Sequence, residues 1–174
     1  NQAWDVDEAS VILEKLTPFN LVWLEEPIAA DRPADEWHLL RSLATMPLAA
    51  GENIQGDERF ASLLRSNFLG VVQPDLAKWG GFSRTVPVGR QIIASGKRYC
   101  PHYLGGGIGL VASAHALAAV GGDGMLEVDI NHNPLRSDLV GDLLSRRKGM
   151  ACLGNAPGLG YEPDLTSVQK YKIN

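Results

Sequence analysis

The chain reads as an α/β fold of repeated βα units, forming part of a parallel (β/α) barrel. Two observations predict it. Short apolar runs alternate with longer amphipathic stretches, and each run ends in a polar residue at a nearly constant interval. The runs are Leu21–Leu24, Leu48–Ala50, Val71–Gln73, Arg98–Cys100 and Met125–Val128. Their polar ends, Glu25, Glu52, Asp75, His102 and Glu127, lie 27, 23, 27 and 25 residues apart. In a parallel barrel every strand points its C-terminal end the same way, so these five side chains can converge on one mouth. A doubly wound sheet is the alternative. It would scatter strand ends along an open edge and usually opens with a Gly-rich phosphate loop. No such loop precedes Gly80.

Between the runs, helical patterns cover residues 5–16, 33–44, 57–65, 83–94 and 109–119. The first carries Ala9, Ile12, Leu13 and Leu16 at helical spacing and opens on acidic residues, which suit a helix N-terminus. Pro33 suits a first turn, and Ser83 is expected to cap the fourth helix. Lys78-Trp79-Gly80-Gly81 reads as a tight turn into that helix. After Glu127 the pattern dissolves. Residues 1–130 are therefore expected to form a partial barrel, and 131–174, rich in Gly and Pro, a returning tail.

Composition narrows the function classes. Sixteen Lys+Arg against 20 Asp+Glu give a formal net charge of −4, unlike a nucleic-acid binder with its basic face. At 45% hydrophobic residues the chain can build a core, yet no apolar run approaches the roughly 20 residues of a membrane span. Asn1–Asp5 contain neither a basic segment nor an apolar stretch of the signal-peptide kind. Cys100 and Cys152 make no disulfide framework, so two free thiols in a reducing, cytoplasmic setting are expected.

The strand ends carry the chemistry. Glu25 (in Trp23-Leu24-Glu25-Glu26-Pro27) and Glu52 (in Ala50-Gly51-Glu52-Asn53) end consecutive strands. Carboxylates so placed suit a hard cation such as Mg²⁺, although each taken alone is more often a solvated loop acid or a salt-bridge partner. Glu26 is read as a supporting or salt-bridged neighbour. Asp75 and His102 also end consecutive strands. A carboxylate bonded to an imidazole orients the ring, fixes its tautomer and raises its basicity, which makes a proton carrier near neutral pH. Against this stands a histidine that merely closes a strand. Glu127 can present a carboxyl group to a substrate or be one more exposed acid. His38 and His115 read as surface or packing residues and His132 as a loop residue. Gly105-Gly106-Gly107 is either a backbone anion site or a flexible loop. Trp79 and Tyr103 either touch substrate or pack against loops.

Taken in order, WLEEP at 23–27, AGEN at 50–53, QPDLAKWGG at 73–81, Pro101-His102 and LEVD at 126–129 resemble the enolase superfamily, specifically its mandelate racemase-like branch. The resemblance implies a TIM-like barrel and a Mg²⁺ held by three strand-end carboxylates, the second and third falling on Glu25 and Glu52. The first would belong to an Asp-x-Asn motif whose Asn resembles Asn1, two positions before this chain begins. It implies an Asp75/His102 dyad with His102 as general acid/base, and Glu127 on the substrate carboxylate or the enediolate intermediate. Asp75 and Glu52 separate the chain from the muconate-lactonising branch, which the resemblance expects to carry Lys and usually Asp there.

The implied reaction is α-proton abstraction from a carboxylate substrate, with dehydration of a sugar acid first and racemisation or epimerisation of a 2-hydroxy acid second. A homo-oligomer, no nucleic-acid partner and no membrane partner are expected. A non-catalytic fragment or binding module is the reading of another class. A complete barrel takes about 250 residues. These 174 residues are therefore expected to be the C-terminal portion of one, about five βα units, with a capping domain outside the chain.

Overall fold

The computed structural model describes residues 1–141, 146–147 and 149–173. Four short strands, β1 (Leu24–Glu25), β2 (Leu48–Ala50), β3 (Val71–Val72) and β4 (Arg98–Tyr99), form one parallel sheet in sequence order. Leu24 pairs with Leu48, Ala49 with Val71 and Val72 with Tyr99. Each crossover is a helix: α2 (Ala34–Leu43), α3 (Asp57–Ser66) and α4 (Gly81–Ala94), with α1 (Val6–Leu16) before β1 and α5 (Gly107–Val120) after β4. This is the repeated βα arrangement expected from the spacing. The ladder continues one residue past three strands, through Glu26 N–H to Ala49, Gln73 N–H to Ala50 and Cys100 N–H to Val72. The backbone is therefore held in register up to the point where the polar ends begin.

Local chemistry sets the helix ends. Asp5 caps α1 in a reciprocal box with Glu8, so two otherwise unpaired N–H groups are satisfied. Pro33 stands at the cap of α2, one position before the first turn expected of it. Ser83 does not cap α4. The helix starts at Gly81, behind Gly80 at φ +73, because a glycine accepts the left-handed turn that aims the chain into the helix two residues earlier.

The core lies between the sheet and its helices. Leu13 of α1, Trp37 and Leu40 of α2, Phe60 of α3, and Val88 and Ile92 of α4 meet Leu48, Val72 and Tyr99 of the strands. Trp79 belongs to this packing: its ring lies 5.3 Å from that of Phe60. His38 packs edge-on against Phe68.

The fifth run forms no ladder among the described residues. The Met125 N–H points at Cys100 Sγ, 3.4 Å away, so a thiol stands where a strand would offer a carbonyl. Gly124 passes so close to β4 that a Cβ would stand 1.8 Å from the Tyr99 carbonyl oxygen. Met125–Val128 thus runs beside β4 without pairing to it. The tail is more ordered than its composition implies. Residues Pro134–Val140 form α6, which packs on α5, and Arg146–Arg147 pair antiparallel with Met150–Ala151 as β5 and β6. Residues 142–145, 148 and 174 of that tail lie outside the described residues. No described helix is long and apolar enough to cross a membrane.

Candidate active site at the strand ends

The five strand-end residues gather at the C-terminal edge of the sheet around His102. The imidazole is buried, with Nδ1 2.7 Å from Asp75 Oδ2 and Nε2 2.9 Å from Glu52 Oε2. Glu127 Oε2 lies 3.8 Å from the same Nε2. Both ring nitrogens therefore face carboxylate oxygens, an arrangement fully satisfied only when both carry protons. Burial alone would lower the His102 pKa, but the Asp75 hydrogen bond and the charges of Glu52 and Glu127 outweigh it, and the net direction is upward.

Asp75 is fixed from its other side. Its Oδ1 accepts the N–H groups of Ala77, at 2.7 Å, and Lys78, at 3.1 Å. Burial would raise its pKa, but the His102 hydrogen bond and these two N–H groups hold the carboxyl below its ordinary range. A charged carboxylate beside a protonated ring is thus the favoured state of the pair.

Glu52 is placed by an unusual backbone. Gly51 has φ +135, and a Cβ there would stand 2.9 Å from the Gln73 nitrogen, so only glycine fits between β2 and β3. Glu52 Oε1 takes the Lys78 ammonium and the Asn53 amide, each at 3.1 Å, and Lys78 also reaches Asn53 Oδ1. Lys78 therefore ties the end of β2 to the turn that holds Asp75. Glu25 Oε2 accepts from Gln73 Nε2 at 2.6 Å and Trp23 Nε1 at 3.4 Å. Sequence reasoning did not single out Gln73 as part of this cluster. Its only signal was a polar residue ending an apolar run, two positions before Asp75.

Glu26 makes a different contact from Glu25. It sits at φ +37, fully buried, and Oε2 accepts from Gln2 Nε2 at 2.6 Å. Its Oε1 has no hydrogen-bond partner among the described residues. Burial raises its pKa; the Gln2 hydrogen bond opposes this, while the Glu52 and Glu25 charges add to it. Glu127 is also pushed upward, first by burial, against the His102 charge and the Tyr103 N–H and with the help of Glu25 and Glu52.

A hard cation needs oxygen donors and surplus negative charge. Glu25 and Glu52 offer carboxylate oxygens from neighbouring strands, and their field reaches both Glu26 and Glu127. In donor type and charge these residues fit a divalent cation. No three His, Cys, Asp or Glu among the described residues form a cage by themselves. Two strand-end carboxylates by themselves fall short of a full coordination sphere.

The remaining candidates add no side-chain hydrogen bond to the cluster among the described residues. Tyr103 is buried, with its ring between Gly105 and Gly109 at the start of α5, so the glycines there leave room for a side chain. His115 Nε2 meets the Leu159 carbonyl at 3.2 Å and ties the tail to α5. His132 is exposed.

The fold and this cluster define a mandelate racemase-type βα assembly, and comparison with known proteins places it. Residues 1–167 match the family model described as enolase C-terminal domain-like, and the chain belongs to that family. A mandelate racemase/muconate lactonizing enzyme from Bordetella bronchiseptica RB50 superposes with a TM-score of 0.93 at 55% identity, over 98% of this chain and 48% of that one. D-galactarolactone cycloisomerase of Agrobacterium fabrum is 26% identical over 99% of this chain and 48% of its own length. D-galactonate dehydratase of Xanthomonas euvesicatoria is 30% identical over 95% of this chain and 45% of its own length. The chain thus spans about half the length of the curated relatives it matches. Sequence reasoning named dehydration and racemisation, but not cycloisomerisation.

Proposed function

We propose that this chain carries the acid/base half of an active site that removes the α-proton of a sugar acid and expels the oxygen on its β-carbon. One observation carries the reading: the buried His102 ring is held at Nδ1 by Asp75 and at Nε2 by Glu52, with Glu127 alongside. Asp75 keeps the ring oriented and charged. His102 then gives its Nε2 proton to the departing oxygen. Glu127, with Oε2 3.8 Å from the same Nε2, would present its carboxyl group to the substrate carboxylate or to the intermediate. Glu25 and Glu52 would hold Mg²⁺, which when bound neutralises charge developing on the substrate carboxylate.

The bond changes balance simply. The α-proton passes to a base contributed by the other half of the active site, the α-C–H electrons form the new C=C bond, the β-C–O bond breaks, and the oxygen leaves with the His102 proton. A free hydroxyl leaves as water, and the enol product relaxes to a 2-keto-3-deoxy acid. An oxygen tethered in a ring stays attached, so the same elimination gives an isomer. That common step accounts for both a dehydratase and a cycloisomerase among the relatives.

The test uses the full-length protein with Mg²⁺, a panel of aldonic and aldaric acids and their lactones, and proton NMR in D₂O. Formation of a 2-keto-3-deoxy acid, or ring opening without loss of atoms, supports the reading. Exchange at the α-carbon without C–O cleavage would replace it with racemisation, His102 returning the proton to the carbon. No exchange and no product on the whole panel would favour a binding role.

A further inference from the structure

We propose that Tyr103 is a positioning residue: its ring, wedged between Gly105 and Gly109 at the start of α5, sets the backbone that holds Glu127 in place. This rests on the role proposed for Glu127 above. Tyr103 directly follows His102, and its N–H donates to Glu127 Oε2 at 3.1 Å. The site lies on the backbone side of this residue, and the anchor lies on its side chain. The two phenol edges face different glycines. A Cβ on Gly105 would stand 2.6 Å from the phenol oxygen and 3.3 Å from Cε1, and one on Gly109 would stand 2.2 Å from the oxygen and 2.4 Å from Cε2.

Gly109 is the informative position. It lies inside α5, and its φ is outside the left-handed range, so its backbone does not call for glycine. Alanine is the better helix former there. What an alanine would violate is the space of the Tyr103 ring. The start of α5 is therefore shaped around the phenol. Through the Tyr103 N–H, that shape is transmitted to a carboxylate 24 residues away in sequence and to the neighbouring His102.

The test makes Gly109→Ala and Tyr103→Phe in the full-length protein and reads steady-state kinetics with Mg²⁺, melting temperature and a crystal structure of each. Tyr103→Phe keeps the ring, and the Tyr103 N–Glu127 Oε2 contact is expected to persist in its crystal structure. Gly109→Ala displaces the ring and is expected to lower kcat at least about 30-fold, with Mg²⁺ affinity within about twofold because Glu25 and Glu52 sit on other strands. The Tyr103 N–Glu127 Oε2 contact should lengthen beyond hydrogen-bond range. If Gly109→Ala does not fold, Gly105→Ala applies the same pressure from outside the helix. A lower melting temperature with kcat unchanged would overturn the proposal. So would a displaced ring with the Glu127 contact still intact. If the wild type shows no turnover, the functional reading fails by itself, and the crystallographic contact still decides this one.

Discussion

Asp75→Asn isolates the contribution of one charge to the proposed acid. The asparagine oxygen can still accept the Ala77 and Lys78 N–H groups, so the turn after β3 keeps its shape. The other arm changes: an amide N–H₂ now faces His102 Nδ1 where a carboxylate accepted at 2.7 Å. The ring must then accept at Nδ1 and carry its proton at Nε2, and it loses the strongest partner of its charged form. A hydrogen bond to a charged group contributes about 1.5–3 kcal/mol. At about 1.4 kcal/mol per decade, that predicts a loss of roughly 10- to 150-fold in kcat.

The sign of the pH effect follows from the same contacts. Asp75, Glu52 and Glu127 raise the His102 pKa against the opposing effect of burial. Removing Asp75 lowers it, so the protonated acid is lost earlier as pH rises. The alkaline limb of the kcat profile should move to lower pH. Product formation by NMR on the full-length enzyme, measured from about pH 5 to 9, reads both effects. A variant within threefold of wild type, with an unmoved alkaline limb, would refute the assignment of His102 as an acid tuned by Asp75.

Two further outcomes follow. Glu52→Gln removes one carboxylate facing the proposed cation and one of the two acceptors on His102, so divalent binding measured by calorimetry should weaken at least ~10-fold; unchanged affinity would remove Glu52 from the ligand set. Stability in chelator should fall from about pH 6 toward pH 8. His102 is raised, so its contribution is complete below its unfolded value of about 6.5 and is lost as pH rises through the folded value. Asp75 is lowered, so its contribution is present above about 3.9 and is lost only as pH falls through the folded value. Buried Glu26 and half-buried Glu127 are also raised, so their contributions begin to be lost as pH rises above about 4.5. Melting curves that rise between pH 6 and 8 would contradict these directions.

The period of the strand ends made the repeated βα arrangement legible, because period and polarity are carried by the chain itself. The same spacing brought Glu52, Asp75 and His102 to one edge, since parallel strands of similar length deliver their ends together, and Glu127 reaches them from a run that forms no ladder among the described residues. The sequence could not show what passes between adjacent ends. Lys78 reads as part of a turn, yet its ammonium lies on Glu52. Trp79 stands beside the dyad in sequence but packs on Phe60, because the left-handed Gly80 turns the chain there into α4. The fifth run has the composition of a strand but forms no ladder, since a thiol takes the bond that a carbonyl would make.

Gly105-Gly106-Gly107 and the neighbouring Gly109 show this most clearly. For Gly105-Gly106-Gly107 composition allows either an anion site or a flexible loop, and both readings treat glycine as a source of backbone freedom. Gly109 lies in a helix whose backbone needs no such freedom, and what its missing side chain provides is room for a phenol. That need belongs to the partner side chain and not to the glycine's own conformation. It becomes visible only once Tyr103 and α5 occupy the same space.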